Sequence, residues 1–267
     1  MNAVQKKTKI GFIGFGNMAS AMAEGLIVSG AVSPSDIFAC SAHYDKMLKI
    51  AEKTGINAAK DAVETAERAH IVIIAVKPCA TEQIASQIKE IVKEKGKIVI
   101  SVVWGRWFDQ YNDILPGAHL ICTIPNVPIS AGRGVLAVEN KHSLEAEEYE
   151  LFESIFSKIS AIETVETQNM SQAGILSACA PAYAAMFVEA LADAGVQYGL
   201  KRDTAYSLAA SMIEGTGALI AKSGQIPAAI KDAVCSPSGA TIRGVAALEH
   251  SGFRGDVMSA IEAVMGE

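Results

Sequence analysis

Gly14, Gly16 and Ala19 stand in the order G-x-G-x-x-A where the run KIGFI ends and an amphipathic stretch begins. In a phosphate-binding loop each position has a physical job. Gly14 permits the tight turn out of a strand, Gly16 leaves room for a pyrophosphate to approach the backbone, and Ala19 lets the helix lie close on the strand. The unpaired amides at the helix start then face the negative charge. The pattern also fits an ordinary tight strand-to-helix turn, but its place behind a predicted strand, opening a βαβ unit, favours a dinucleotide. At the end of the second predicted strand the chain reads FACSAHYDK. An NAD site holds Asp or Glu about 20 residues beyond the loop to accept the ribose 2′-hydroxyl. Here Cys40 and Ser41 are neutral, Ser41 can donate to a 2′-phosphate, and His43 and Lys46 bring positive character that Asp45 opposes. The expected cofactor is NADP (as NADPH) before NAD.

A second cluster lies near the other end, in the loop CSPSGAT. Pro237 and Gly239 fix an irregular turn, and the amides of Ala240 and Thr241 open the next helix. Free amides with the hydroxyls of Ser236 and Thr241 make a carboxylate cradle; the bland alternative is a helix cap by Ser236 or Ser238. Lys77, before Pro78, falls at the carboxyl end of a strand, where open α/β sheets bind ligands, and reads either as a nicotinamide contact or as a solvated charge. Asn126, between Pro125 and Pro128, either orients a ligand or makes an Asx turn. Of the five His (43, 70, 119, 142 and 250) only His142 has a Glu at HxxE spacing (Glu145), none has HxxH spacing, and GxSxG is absent, so neither a metal nor a Ser-His-Asp triad is expected.

The elements that must carry these residues follow from periodicity. Strands are expected at Thr8 to Gly14, Asp36 to Ser41, His70 to Val76, Lys97 to Val102 and His119 to Ile124, with helices such as Asn17 to Ser29, Asp45 to Lys53 and Thr81 to Lys95 between them. This alternation predicts an α/β fold with a Rossmann-type doubly wound, mostly parallel sheet. After Val165 small helix formers take over: Pro181 to Tyr198, Asp203 to Ser223, Pro227 to Val234, Ala240 to His250 and Phe253 to Met265. The expected domains are a dinucleotide-binding domain over residues 1–167 and an all-helical substrate and dimerisation domain over 168–267.

Only six Lys/Arg and nine Asp/Glu fall between Gln168 and Glu267. The helix Pro181 to Tyr198 carries Glu189 and Asp193 as its only charges, one turn apart. Such a helix is apolar almost all round, which calls for burial. About 100 residues can hardly bury several of them alone, so a second subunit is expected to cover them.

Half of the 267 residues are hydrophobic and 19% are charged, a globular composition. Apolar runs such as Ile71 to Val76 fall short of the roughly 20 residues of a membrane span, and no apolar core follows the basic residues of Met1 to Lys9, so no export signal is expected. No membrane association is expected. Five single Cys without a CxxC pair argue against disulfides and structural zinc and place the chain in a reducing cytoplasm. The net charge of −6 with dispersed Lys and Arg gives no basic stripe for nucleic acid.

With IIAVKP at 73–78, IPNVP at 124–128 and AVCSPSGATIRGVAALEHSGFR at 233–254, the chain resembles the pyrroline-5-carboxylate reductase family from Lys9 to Val264. The resemblance implies reduction of Δ1-pyrroline-5-carboxylate to L-proline with NADPH or NADH. It also implies a Rossmann domain and a helical domain that interlocks with its twin in a homodimer, with dimers assembling into decamers. Carried over by position, Ile13, Gly14, Phe15, Gly16, Asn17 and Met18 surround the pyrophosphate and Ser41 meets the 2′ end. Ala75, Val76, Lys77 and Pro78, with Ser101, Val102 and Val103, line the nicotinamide half. Ser236, Gly239, Ala240 and Thr241 form the substrate loop, with Ala240 and Thr241 nearest the carboxylate.

The chain departs from the family pattern at several points. Cys122 replaces Arg, Val103-Trp104-Gly105 replaces Ala-Ala-Gly, Ala178-Cys179-Ala180-Pro181 replaces Gly-Ser-Gly-Pro, and Ser238 replaces the first glycine of the substrate loop. An Asn that contacts adenosine is missing near Asp61 and Ala62. Reducing a protonated imine needs mainly a near-attack arrangement of donor and acceptor carbons, and no strong base. Thr241, directly or through a water, is the candidate catalytic contact to the ring nitrogen. A β-hydroxyacid-type dehydrogenase shares the two-domain plan but uses a helix Lys as acid/base, and no Lys occurs between Lys158 and Lys201. A non-catalytic or altered-substrate NADP-binding paralogue is the other alternative.

Overall fold

The β-branched runs become strands because their side chains pack on both faces of a covered sheet. In the computed structural model, which describes residues 8–94 and 96–266, eight strands form one sheet. They are β1 (Ile10–Ile13), β2 (Ile37–Cys40), β3 (Asn57–Ala58), β4 (Ile71–Ile74), β5 (Ile98–Ser101), β6 (His119–Pro125), β7 (Gly134–Glu139) and β8 (Ser160–Val165). Their order is β3-β2-β1-β4-β5-β6-β7-β8, parallel throughout except for the antiparallel pair β6 and β7. The five expected strands are all present, with ends shifted by a residue or two. Three were not anticipated: β3, β7 and β8.

Alternation along the strands divides the core in two. Ile10, Phe12, Ile71 and Ile73 point to one face with Met22 and Leu26, while Ile13, Val72 and Ile74 point to the other with Ile88 and Val92. The covering helices are α1 (Asn17–Val28), α2 (Tyr44–Thr54), α3 (Ala62–Arg68), α4 (Thr81–Glu94), α5 (Phe108–Ile114) and α6 (Ala146–Phe156). The expectations placed on residues 1–7 and on Lys95 lie outside the described residues. Helix α1 packs closely because Gly25 has no side chain: a Cβ there would collide with the Ile129 carbonyl oxygen in the 3₁₀ turn Val127–Ala131.

The chain forms two compact units, divided between Ala178 and Cys179. The first ends with α7 (Met170–Gly174), and Ile175–Cys179 form a π-helical turn. The second unit is all helical: α8 (Ala180–Gln197), α9 (Arg202–Ser223), α10 (Pro227–Ala233), α11 (Ala240–His250) and α12 (Phe253–Met265). Within it Phe187 packs on Phe253 with ring centroids 6.0 Å apart, and Arg202 pairs with Asp193. In α8 and α9 only Ala192, Ala205 and Ala209 are buried, while Met186 of α8, Leu208 of α9 and Met258 of α12 remain 67%, 58% and 63% exposed.

The helical stretch Thr167–Gln197 is long and apolar enough to cross a membrane by length and composition, although no single apolar run reached that length in sequence. Polar residues such as Ser171, Gln172 and Ser177 break the run without breaking the helix.

Candidate active site

Strand register brings the expected cofactor residues to one edge. Ile13 pairs with Cys40 on one side and with Ile74 on the other, and Ile74 pairs with Ser101. The residues that follow, namely Gly14, Ser41, Ala75 and Val102, therefore leave the sheet side by side at its carboxyl end. Backbone hydrogen bonds carry the register past the strand ends, from Gly14 N–H to Cys40 O (3.0 Å), Ala75 N–H to Ile13 O (2.9 Å) and Val102 N–H to Ile74 O (3.0 Å).

The loop has the conformation its glycines were expected to allow. Gly14 lies at φ +89°, and a Cβ there would stand 2.6 Å from the Ala75 carbonyl oxygen. Gly16 is the N-cap of α1 and makes no side-chain cap, so the first amides of that helix lack a side-chain acceptor. A Cβ on Gly16 would meet nothing within 4 Å, so the loop leaves open space there. Ala19 is buried and Phe15 stacks edge-on against Phe12, at 5.8 Å between centroids. Asn17 and Met18 form the first turn of α1.

At the end of β2, Ser41 accepts a hydrogen bond from the His43 amide at 3.1 Å. Burial, more than any neighbour, pushes the Cys40 thiol up, so the strand ends without negative charge. Asp61 caps α3 by accepting from the Glu64 amide at 2.9 Å. The position near which an adenosine-contacting Asn is missing is thus used to start a helix.

Two of the polar residues turn inward. Ser101 is buried: its hydroxyl donates to Tyr111 Oη at 2.7 Å and accepts from the Val103 amide at 3.2 Å. Burial above all pushes Tyr111 up to about 12, so it stays a neutral phenol. Val102 is half-buried against the core, and Trp104 is 42% exposed. Trp104 lies over Gly174, where a Cβ would run into its ring. Asn126 donates to Ser177 O at 3.0 Å and accepts from the Val135 amide at 2.8 Å, so both ends of its amide tie the fold together. Lys77 and Pro78 are exposed, and Val76 is half-buried.

Glu139 went unnoticed in the sequence because one acid at the end of an unrecognised strand carries no pattern. It is fully buried and accepts from the Phe108 amide (2.8 Å) and the Thr167 hydroxyl (2.6 Å). Burial first, then this carboxylate, hold the Cys122 thiol well above its usual range. A neutral thiol therefore sits where the family pattern has a cation.

In the second unit, the Ser236–Thr241 loop leads into α11. Its N-cap is Gly239, at φ −70° and ψ 172°, and no side chain caps the helix. Neither Ser236 nor Ser238 plays the capping role that was the bland alternative. The Gly239 amide donates to Ser236 O at 3.0 Å, and Arg243, which sequence reasoning passed over, donates from Nη1 to Ser238 O at 3.0 Å. An Arg one turn inside a helix gives no sign in sequence that it reaches back to the preceding loop.

These residues fit an NADP-type dinucleotide: open space at Gly16, uncapped amides at α1 and a neutral strand end at Ser41. A separate cavity of about 400 Å³ lies between α1 and α2, lined by Phe15, Glu24, Ile27, Ile50 and Lys53 among others. Among the described residues no group of three or more His, Cys, Asp or Glu could hold a metal ion, and all five cysteines are free.

Such an edge can hold a dinucleotide by its phosphates and present the far end to a substrate, which is the work of an NADP-type oxidoreductase. The chain is 40% identical over 261 residues to pyrroline-5-carboxylate reductase of Treponema pallidum (strain Nichols), covering 96% of this chain and 98% of that protein. The chain belongs to the pyrroline-5-carboxylate reductase family. The Escherichia coli (strain K12) enzyme of the same name is 36% identical over 258 residues, 96% of each chain. Residues 167–267 match the family model for pyrroline-5-carboxylate reductase dimerisation, and residues 9–105 match that for NADP oxidoreductase, coenzyme F420-dependent. The crystal structure of Plasmodium falciparum pyrroline carboxylate reductase with NADP bound is similar over 97% of this chain and 96% of its own, at 28% identity and a TM-score of 0.84.

Proposed function

We propose that the chain reduces the cyclic imine Δ1-pyrroline-5-carboxylate to L-proline by hydride transfer from NADPH. The observation that carries this reading is the near-full-length likeness to enzymes of that name, joined to a glycine loop whose geometry leaves room for a pyrophosphate. NADPH, when bound, supplies the hydride. Ile13 to Met18 cradle the pyrophosphate through backbone amides, and Ser41, with His43 and Lys46 beyond it, takes the 2′-phosphate. Ala75 to Pro78 and the backbone of Ser101 to Val103 flank the nicotinamide end.

The amides of Ala240 and Thr241, with the Ser236 and Thr241 hydroxyls, hold the substrate carboxylate, and Gly239 keeps the approach clear. The Thr241 hydroxyl, directly or through a water, hydrogen-bonds the ring nitrogen and orients the imine carbon toward the hydride. A protonated imine is a ready acceptor, so orientation is most of what the protein must supply. Residues 168–267 act as the substrate and dimerisation domain, and the exposed apolar surface of α8, α9 and α12 is covered by a second copy. Dimers assemble further into decamers, with neither membrane nor nucleic acid as partner. Five free, unpaired cysteines support a cytoplasmic setting. A steady-state assay with pyrroline-5-carboxylate and NADPH tests the reading: no turnover by a protein that still binds NADPH would move it to a non-catalytic role.

A further inference from the structure

Ser238 is the only non-glycine residue at positive φ among the described residues, at +59°. It occupies the turn that opens the substrate loop. This left-handed conformation is strained for a residue with a Cβ and free for glycine. Something must hold a serine there, and the structure shows two ties on the same peptide unit. The Ser238 carbonyl accepts from Arg243 Nη1 at 3.0 Å, and the amide of the next residue, Gly239, donates to Ser236 O at 3.0 Å. The Ser238–Gly239 peptide plane is thus gripped from both sides. Gly239 itself lies at φ −70°, so the left-handed position of the turn falls on Ser238 and not on the glycine beside it. Arg243 makes no ion pair among the described residues, so no acid competes for it; the neighbouring Arg254 pairs with Glu249 instead.

We propose that Arg243 is a positioning residue of the substrate loop: it clamps the Ser238 carbonyl, holds the left-handed serine in place, and thereby aims the uncapped amides of Ala240 and Thr241 at the carboxylate of the substrate. This rests on the substrate reading given above for the loop. With glycine at 238 the turn forms without strain and needs no clamp; with serine the turn and the arginine depend on one another. The two side chains are therefore energetically coupled, and the coupling disappears when Ser238 is replaced by glycine.

Four proteins test this: the wild type, Arg243→Ala, Ser238→Gly and the double variant. Loss of a charged hydrogen-bond donor in Arg243→Ala raises KM for pyrroline-5-carboxylate about tenfold, with kcat within about twofold and NADPH binding unchanged. Ser238→Gly alone behaves as the wild type, and in that background removing Arg243 changes KM by no more than about threefold. An equal KM penalty in both backgrounds would overturn the clamp and make Arg243 a direct contact to the carboxylate. Hydrogen exchange of the peptide spanning residues 236–243 reads the clamp without any activity. Exchange accelerates in Arg243→Ala and changes much less when the same substitution is made on Ser238→Gly. Unaltered exchange in Arg243→Ala overturns the clamp whatever the substrate proves to be, whereas an inactive wild type with the expected exchange pattern overturns only the substrate reading.

Discussion

The Gly14 amide donates to the carbonyl of Cys40 at 3.0 Å, which hangs the phosphate loop from the end of the neighbouring strand, one residue before Ser41. In the proposed cofactor site, the loop that would take the pyrophosphate and the strand end that would take the 2′-phosphate are joined by this hydrogen bond between adjacent strands.

The glycines of the loop separate stability from binding. Gly14→Val sets a branched side chain at φ +89° against the Ala75 carbonyl oxygen, and should destabilise the fold by about 1–3 kcal/mol as well as weaken NADPH. Gly16→Ala meets nothing within 4 Å in the protein itself. It should leave Tm nearly unchanged and still weaken NADPH in a fluorescence titration, because the added methyl stands where the pyrophosphate must approach. Equal NADPH affinity in Gly16→Ala would place the pyrophosphate elsewhere.

The uncharged end of β2 predicts a higher kcat/KM with NADPH than with NADH. Ser41→Asp should lower kcat/KM for NADPH by about tenfold or more, by setting an anion against the 2′-phosphate, while NADH suffers little. Equal use of both cofactors by the wild type would refute the assignment of Ser41.

Met186 and Met258 are each roughly two-thirds exposed in a single chain, and apolar side chains exposed in this way are what a second copy would cover. Light scattering at micromolar concentration should give at least twice the mass of one chain. Leu208→Glu, on an exposed face of α9, should shift the population toward monomer. A monomeric wild type would contradict the dimer.

His70 gives the fold a small acid sensitivity. Its Nδ1 accepts the Lys9 amide at 3.1 Å, which requires that nitrogen to be unprotonated. Burial first, then Lys97 and Lys9, lower its pKa from the usual 6.5, with Asp36 opposing. The unfolded chain thus takes up the proton at higher pH than the folded one. The contribution is complete above about pH 6.5 and is lost as pH falls through the lower folded value. His70→Asn keeps an acceptor without titrating, so Tm measured from pH 7 to 5 should fall less steeply in that variant; parallel curves would count against the effect.

The sheet edge was legible because glycine spacing and β-branched runs are local signals. α11 and α12 span the expected residues, since short, strongly patterned helices bounded by Gly and Ser announce their own ends. β7 and β8 escaped notice although, at six residues each, they are longer than β1, β2, β4 and β5; β8 buries only Ser160, so SAIETV shows no apolar face. β3, two residues long, is held largely by Asn57, whose amide donates to Ser35 O and Ile37 O. Ser101 was placed along the nicotinamide half by resemblance; that its hydroxyl turns inward was invisible, because its partner Tyr111 comes from a helix the periodicity did not show. Arg243 and Glu139 act through contacts that only the folded chain brings together.

The most direct measurement is steady-state turnover of pyrroline-5-carboxylate with NADPH, proline being identified as the product, for the wild type beside Thr241→Val. Wild-type turnover is expected. Loss of one hydrogen bond to a charged group should then lower kcat/KM of the variant by roughly ten- to a hundredfold, with NADPH affinity unchanged. Wild-type rates in Thr241→Val would reduce that hydroxyl to a structural group, and a wild type that binds NADPH yet makes no proline would contradict the proposed reaction itself.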